Sequence, residues 1–368
     1  MPRVVIESAR PADDAALRRL LAENPMDGRV RVAFEREPSY FDAVRVQGTA
    51  WQVIIGRDLD SGEVIAAGAR AIRSMFVNGE PQDVGYLSDL RLLPAYRGCT
   101  VLARGYRRIR ELHADGRVRL YVTAIGADNT VALATIAAGR AGLPAYRDLG
   151  EFVSPAINVG RHKPAIDAGV EIVRGERTML RAIVACLNDH GRTRQFAPVY
   201  RCEDFESAGR FPGLRVEDFF LAIRNGRVVG TLARWDQRAF KQTRVVGYRG
   251  SLRLLRPVYN VGAPLLGWPR FPRPGATLES CYAAGIAVPD GDVQVFRALL
   301  RAVYNDVVGG PHAYVLLGLH ARDPLVAALG DYRVSPYRGR LFCVHFEDGE
   351  DAWRALDGRI PHVEVATL

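Results

Sequence analysis

The hydrophobic and polar positions of the first half alternate between strand-like and helix-like periods. Short apolar runs bounded by turn residues predict strands, and apolar residues spaced three or four apart predict helices. The predicted strands are 4–6, 51–57, 63–77, 83–93 and 120–125, with one or two closing strands within 146–159. The predicted helices are 11–21, 101–113 and 130–138, the last of them ended by 139–142. This order predicts a mixed α+β fold.

Two short polar pairs mark boundaries between these elements. Asn78-Gly79 separates two predicted strands and is a strong signal for a hairpin turn. Asp128-Asn129 precedes the helix predicted from Thr130, where such side chains cap the free backbone N–H groups.

The second half repeats pieces of the first half in the same order. GEVIAAGAR (62–70) matches GRVVGTLAR (226–234), and LYVTAIGADN (120–129) resembles AYVLLGLHAR (313–322). The helix predicted between the two pieces also has a counterpart in the second half. Two matches at a roughly constant offset favour a tandem repeat of one domain. The alternative is that any two α+β domains share strand and turn patterns.

The length also favours two domains, because 368 residues exceed twice the roughly 150 residues typical of one domain. We predict a first domain over 1–165 and a second over 166–368. The second carries an insertion near 254–275, LLRPVYNVGAPLLGWPRFPRPG, whose prolines argue against a regular helix or central strand. It is either an ordered surface loop packed by Trp268 and Phe271, or a lid over a site.

The stretch LRLLPAYRGCTVLARGY (90–106) carries the clearest chemistry. It predicts a strand, a proline turn, a short loop and a helix. Backbone N–H groups at the start of a helix are unpaired, and the helix dipole adds positive charge there. Gly98 permits close approach of a ligand to the backbone, and Arg97 adds a charged donor. The loop is therefore predicted to bind an anion such as a pyrophosphate.

With these motifs, residues 3–155 resemble the GNAT superfamily of acyl-CoA N-acyltransferases. The resemblance includes Leu90, Leu92 and Pro94 at the end of the fourth strand, followed by Tyr96-Arg97-Gly98. It also includes Asn129-x-x-Ala132 after the fifth strand, and Gly142-Leu143 where the family commonly has Gly-Phe. Arg97 begins the family loop Q/R-x-x-G-x-G/A, but Thr100 and Leu102 replace its glycines.

The resemblance implies two tandem GNAT-like domains, each a mostly antiparallel sheet with helices on both faces. Acetyl-CoA or another acyl-CoA would be the cosubstrate, bound between the splayed fourth and fifth strands. A Cβ at the two altered loop positions would narrow the approach of the phosphates. The residues implied in cofactor binding are Leu90, Arg91, Leu92, Arg97, Gly98, Cys99, Thr100, Val101, Leu102, Ala103 and Asn129.

The resemblance also implies direct attack of an amine on the thioester, helped by a base and an acid. Asp89 on the fourth strand is the candidate base, and its alternative is a polar residue on a solvent face. The family's acidic tyrosine has no counterpart at 136–138. Tyr146 is the substitute candidate, with a packing role as its alternative. Cys99 has no histidine within its loop, which argues against a nucleophilic role.

The equivalent stretch of the second half is AGIAVPDGDVQVFRALL (284–300). Pro289 matches Pro94, but Asp290 and Asp292 place negative charge where a pyrophosphate would lie. The second half is therefore predicted not to bind coenzyme A, and to serve as a structural partner or a substrate wall.

Charge and cysteine usage narrow the class of protein further. The net charge is +9, which fits anionic partners, but no run of five basic residues occurs, which argues against a nucleic-acid arm. The five cysteines form no CxxC pair and the histidines show no ligand spacing, so we expect no metal site and a reducing, cytoplasmic location. No signal peptide, membrane span or membrane partner is expected.

These observations leave three hypotheses. The first is an N-acyltransferase that acts on an unknown primary amine of a small molecule or peptide. The second is a non-catalytic double-fold protein for binding or assembly, favoured by the missing loop glycines and tyrosine. The third, suggested by charge alone, is association with nucleic acid. The acyl chain and a homodimer are left open.

Overall fold

The computed structural model describes residues 3–26, 28–137, 143–206 and 209–368. The strands are β1 (Val4–Ser8), β2 (Val30–Glu35), β3 (Ala50–Asp58), β4 (Val64–Val77), β5 (Glu80–Leu92), β6 (Tyr121–Gly126), β7 (Ala145–Val153), β8 (Ala156–Asn158), β9 (Glu171–Arg174), β10 (Ala197–Pro198), β11 (Phe219–Arg224), β12 (Arg227–Trp235), β13 (Gln242–Tyr248), β14 (Ser280–Ala287), β15 (Tyr314–Leu316), β16 (Leu319–His320), β17 (Val334–Ser335) and β18 (Arg338–His345). The helices are α1 (Asp14–Glu23), α2 (Tyr40–Val44), α3 (Val101–His113), α4 (Thr130–Ala137), α5 (Leu180–Arg192), α6 (Ser251–Gly262), α7 (Val293–Val307) and α8 (Glu350–Arg354).

Two sheets contain most of the strands and have the same internal order. The first runs β1-β3-β4-β5-β6-β18-β7, and the second runs β9-β11-β12-β14-β15-β8-β17. In both, the fourth and fifth positions pair in parallel and the other neighbours are antiparallel. The equivalence supports the predicted duplication and confirms a mostly antiparallel α+β fold.

The sixth strand of each sheet comes from the other half of the chain. β18 lies between β6 and β7, and β8 lies between β15 and β17. β10 and β16 also join the first sheet, at β4 and β7 respectively. The sheets therefore cross the predicted boundary at residue 165 in both directions, and that division stays a prediction.

Helices cover both faces of the first sheet because neighbouring residues of a strand point to opposite sides. Ile55 of β3 packs in one cluster with Leu17 of α1, and Ile54 packs in another with Ile109 of α3. The second sheet repeats this arrangement, with α5 and α7 on opposite faces of β11. Helices on both faces were predicted for each domain.

Several local predictions are confirmed by the fold. α3 spans the predicted 101–113, and the closing strands predicted within 146–159 are β7 and β8. Asn78 and Gly79 both have left-handed backbone angles, with φ of 53° and 86°, as a tight hairpin turn requires. The segment predicted to end the helix at 139–142 lies outside the described residues.

The prediction that 254–275 contains no regular helix is wrong, because α6 runs through Pro257. A proline inside a helix removes one hydrogen bond and leaves the carbonyl four residues earlier unpaired. Here Pro257 and Arg253 are both exposed, so water can reach that carbonyl. Trp268 and Phe271 then pack on Tyr259, as the surface-loop alternative predicted.

Two neighbouring histidines have surroundings that oppose their protonation. The rings of His190 in α5 and His362 lie 6.1 Å apart, and His190 Nδ1 contacts the Val288 carbonyl oxygen at 3.1 Å. Burial, reinforced by the charge of Arg194, lowers the pKa of His190 to about 4. Burial and the nearby His190 also hold the pKa of His362 well below its usual value.

We expect stability to fall as the pH drops from about 6.5 towards about 4, because the unfolded histidine binds a proton there and the folded one resists it. Complete loss of the His190 contribution amounts to about 3 kcal/mol. His190→Asn should flatten the slope of unfolding free energy against pH, measured by urea titration. His162→Asn, at an exposed position, is the control. An unchanged slope in His190→Asn would contradict the assignment.

Candidate active site

The parallel strands β5 and β6 separate after a short paired stretch. Their register contains only Gly85 with Tyr121 and Tyr86 with Val122 among the described residues. The Thr123 hydroxyl then donates to the Leu87 carbonyl oxygen at 2.8 Å, a last contact before the strands diverge. A side chain at Gly85 would lie 2.0 Å from the Tyr121 ring, so glycine is needed where the strands meet. The two strands therefore splay apart, as the resemblance implied, and we call the space between them the cleft.

The predicted anion loop lies at the end of β5, at the mouth of this cleft. Pro94–Tyr96 form one turn of 3-10 helix, and Gly98 follows with a left-handed φ of 85°. Arg97, Gly98, Cys99 and Thr100 are all exposed. The first predicted binding residues, from Leu90 to Leu92, form the last part of β5 on the way into the loop.

The first turn of α3 has no side-chain cap. Thr100 stands at the N-cap position but makes no side-chain cap, and the first turn, which is fully described, contains no acidic residue. The amides of Val101, Leu102 and Ala103 therefore have no side-chain acceptor at the positive end of a thirteen-residue helix. Because Thr100 is exposed, its side chain adds a hydroxyl group to the loop and does not occupy a buried space that a phosphate would need.

The equivalent helix of the second half is closed by its own cap. Asp292 accepts hydrogen bonds from the amides of Gln294 and Val295 at 2.9 and 3.2 Å. Arg224 also pairs with the Asp292 carboxylate at 3.3 Å. A carboxylate thus occupies the amides that a phosphate would need, which supports the prediction that this half does not bind coenzyme A.

Asp89 lies in a bulge of β5, where it takes an uncommon backbone conformation. Asp89 and Leu90 together face the single residue Gly68 of β4, and Asp89 has a φ of 53°. The matching bulge of β14 has glycine, Gly285, with a φ of 60°. Glycine adopts such angles freely, whereas an aspartate is strained there.

The Asp89 carboxylate is already engaged by two side chains. Arg36 Nη2 donates to it at 2.7 Å and the Tyr40 hydroxyl at 3.0 Å. Burial raises the pKa of Asp89, but the charges of Arg36 and Arg91 and the two hydrogen bonds outweigh it, so the pKa lies below its usual value. Asp89 is therefore ionised near neutral pH and accepts a proton poorly.

Asp89 belongs to a larger group of buried polar side chains, which we call the Asp89 cluster. Its members are Arg36, Tyr40, Arg73, Tyr86, Asp89, Lys241 and Glu364. Burial lowers the pKa of Lys241 to about 7, and the charge of Arg36 adds to this effect. The motifs identified Asp89 alone, because the other members come from separate parts of the chain: the residues just after β2 and just before β13, α2, β4, β5 and the segment 363–367.

Two arginine nitrogens of the Asp89 cluster are buried without an acceptor. Arg36 Nη1 and Arg73 Nε have no hydrogen-bond partner among the described residues. Arg73 donates instead through Nη1 to the Thr367 hydroxyl at 2.8 Å, and its guanidinium lies over the Tyr86 ring. Unpaired buried donors are costly, so these two nitrogens are unsatisfied in the structure.

The other catalytic candidate, Tyr146, lies in a different environment. Its hydroxyl is hydrogen-bonded to that of Tyr106 in α3 at 2.5 Å, and its ring packs edge-on against Phe342. Burial raises the pKa of Tyr146 well above its usual value, and the Tyr106 hydroxyl adds to this effect. Tyr146 packs against the apolar cluster that contains Ile109 and Phe342, and these surroundings favour its packing role.

The remaining candidates have simple placements. Asn129 is exposed and its side chain accepts from the Ala132 amide at 3.1 Å, capping α4 as predicted. Cys99 is an exposed free thiol. Gly142 of the predicted Gly-Leu pair lies outside the described residues. The part of the chain that the structure describes holds no cluster of His, Cys, Asp or Glu arranged for a metal ion.

Comparison with known proteins shows the fold but no near relative in sequence. The chain is similar to a GCN5-related N-acetyltransferase from Sphaerobacter thermophilus, with a TM-score of 0.58, 15% identity, and coverage of 99% of this chain and 98% of that one. It is similar to Saccharomyces cerevisiae N-myristoyltransferase bound to myristoyl-CoA, with a TM-score of 0.58 and 9% identity over 94% and 84% of the chains.

It is also similar to the glucosamine N-acetyltransferase region of a fungal multi-domain β-N-acetylglucosaminidase, with a TM-score of 0.60 and 12% identity. That match covers 93% of this chain and 38% of the other. No family model and no curated protein sequence matches the chain. The structural matches show that the chain has the GNAT fold over nearly its whole length.

The ion pair between Arg36 and Asp89 predicts strong coupling in stability. Asp89→Gly keeps a residue that tolerates the left-handed angle but leaves Arg36 buried and unpaired, so it should cost about 3 kcal/mol. In an Arg36→Met background the same change should cost about 2 kcal/mol less. Urea unfolding of the four variants gives the coupling energy. Additive effects would show that the pair contributes no specific interaction.

Proposed function

We propose that the first half holds an N-acyltransferase site that uses an acyl-CoA. One observation carries the proposal: an uncapped helix N-terminus lies at the mouth of a cleft between two diverging parallel strands. That arrangement supplies an anion site beside a slot open to an extended ligand. The GNAT fold of the whole chain agrees with this assignment.

The acyl-CoA would bind along the loop and β5. Its pyrophosphate would lie on the amides of Gly98 to Ala103, with Arg97 as a charged donor. Its pantetheine amides would pair with Leu90 to Leu92, because this edge of β5 has no partner strand beyond Tyr86 among the described residues. The thioester would then lie close to the bulge at Asp89.

The Asp89 cluster would receive the acceptor amine. The ionised Asp89 attracts and orients an amine, while Arg36 Nη1 and Arg73 Nε are free to bind an oxygen of the same molecule. In the reaction the amine nitrogen bonds to the thioester carbon, the carbon–sulfur bond breaks, coenzyme A leaves as the thiolate, and the amine proton is released. Because the pKa of Asp89 is lowered, we propose that it positions the amine and that the proton leaves through water.

A second function remains open on a specific observation. Arg36 already neutralises Asp89, and no acid other than the enclosed Tyr146 has been assigned. A protein that kept the double fold for binding or assembly would show these features. A measurement of acyl-CoA binding distinguishes the two functions, because a non-catalytic protein would bind acyl-CoA weakly or not at all.

We expect acetyl-CoA to raise the melting temperature, since a ligand at 100 times its dissociation constant adds about 2.7 kcal/mol of stability. Thr100→Glu places a negative charge at the anion site and should weaken binding at least about tenfold. Thr100→Gln has nearly the same volume without the charge and should bind normally. Calorimetric titration of both variants measures the difference.

The design separates lost binding from lost folding. A glutamate at a helix N-terminus stabilises the helix by about 0.5 kcal/mol, so Thr100→Glu should melt no lower than the parent protein. Asp292→Ala, in the second half, should leave acyl-CoA binding unchanged. If neither acetyl-CoA nor longer acyl-CoAs bind, the enzyme proposal is wrong. If Thr100→Glu binds as well as Thr100→Gln, the pyrophosphate lies elsewhere.

A further inference from the structure

Helix α6 presents an apolar face to solvent. Five large apolar side chains of α6 and the turn after it are 59–81% exposed: Leu254, Leu255, Val258, Val261 and Leu265. Four of them, at steps of four, three and four residues, lie along one side of the helix. None of the twelve residues of α6, all of them described, is buried.

The polar face of α6 is the side that attaches to the protein. Arg256 Nε donates to the Pro272 carbonyl oxygen at 3.1 Å, and the Tyr259 hydroxyl donates to Pro269. The Asn260 side chain exchanges two hydrogen bonds with the backbone of Phe271, at 2.9 and 2.8 Å. A surface helix normally buries its apolar face, so this orientation is reversed.

The sequence around α6 contains basic residues and no acidic ones, although Arg244 pairs with Glu35 of β2. From Gln242 to Leu278 the sequence contains no aspartate or glutamate. It contains six arginines, at 244, 249, 253, 256, 270 and 273. Arg253 of α6 is exposed, as are Arg270 and Arg273 of the loop on which α6 packs. An outward apolar stripe flanked by arginines is complementary to an anionic surface that also offers hydrocarbon.

We propose that the outward face of α6, with its flanking arginines, docks on an anionic lipid membrane, the helix lying in the plane of the interface. A second copy of the chain fits less well, because two such faces brought together would place their arginines against each other. No helix of the described residues is long and apolar enough to span a bilayer. The expectation of no membrane partner rested on spanning segments, and a helix lying on the surface needs none.

The test uses the full chain and sedimentation with lipid vesicles. The protein should bind vesicles of phosphatidylcholine mixed with phosphatidylglycerol, bind pure phosphatidylcholine vesicles weakly, and lose affinity as salt rises. The triple variant Leu254→Ser/Val258→Ser/Val261→Ser should bind at least about tenfold more weakly. Its fold should survive, because none of the three side chains is buried.

The charge is tested separately from the apolar stripe. Arg253→Glu/Arg273→Glu should weaken binding to the anionic vesicles by more than about tenfold and leave weak binding to neutral vesicles unchanged. Leu59→Ser, at an exposed leucine of the first half, is the matched control and should bind as the parent does. The proposal does not depend on acyl-CoA binding, so the two stand or fall separately.

Two outcomes would overturn the proposal. One is failure to sediment with anionic vesicles at low salt. The other is a dimer in size-exclusion chromatography that dissociates in the triple serine variant, since this would identify a second copy as the occupant of the face.

Discussion

The reciprocal exchange of one strand between the two sheets is the constraint on which the rest of the structure depends. β6 parts from β5 beyond Tyr86, so its far half is held through pairing with β18, which runs from Gly339 opposite Gly126 to Val344 opposite Tyr121. Without β18, β6 would be an edge strand with an open cleft on its other side. The wall of the first cleft is therefore built by residues of the second half, and the duplicated chain acts as one structural unit.

Although the two sheets have the same strand order, a few residues make the two halves chemically different. The helix that follows the splayed strand is open in the first half at Thr100 and closed in the second by Asp292. The bulge in the strand that precedes this helix has Asp89 in the first half and Gly285 in the second. The first half therefore has an uncapped helix and a carboxylate in its bulge, whereas the second half has a capped helix and a glycine in its bulge. The two halves thus differ in side chains on equivalent backbones.

The structural features that were predicted correctly depend on residues close together in the sequence. Those that were missed depend on residues far apart in it. Hydrophobic periodicity gave α3 its bounds, and Asn78-Gly79 its turn, because both follow from local backbone preferences. The place of β18 depends on pairing across more than 200 residues, which no local pattern records. The Asp89 cluster escaped for the same reason, since Arg36, Lys241 and Glu364 meet only in the folded chain. Pro257 caused the opposite error, because a helix forms where none was predicted. Its solvent exposure removed most of the usual free-energy penalty of a proline inside a helix.

The segment 363–367 explains why the strained Asp89 bulge is informative. The Glu364 carboxylate accepts a hydrogen bond from the Gly285 amide at 2.8 Å, and the Thr367 hydroxyl accepts one from Arg73. This segment therefore connects the bulge of the second sheet with the Asp89 cluster of the first. At Gly285 the fold makes this bulge with a relaxed glycine. The same bulge at residue 89 uses an aspartate that costs strain and needs a buried arginine to neutralise it. Since folding alone is satisfied by glycine, the charge at Asp89 is the feature of the cleft that demands a functional reason, and the proposed amine acceptor would supply one.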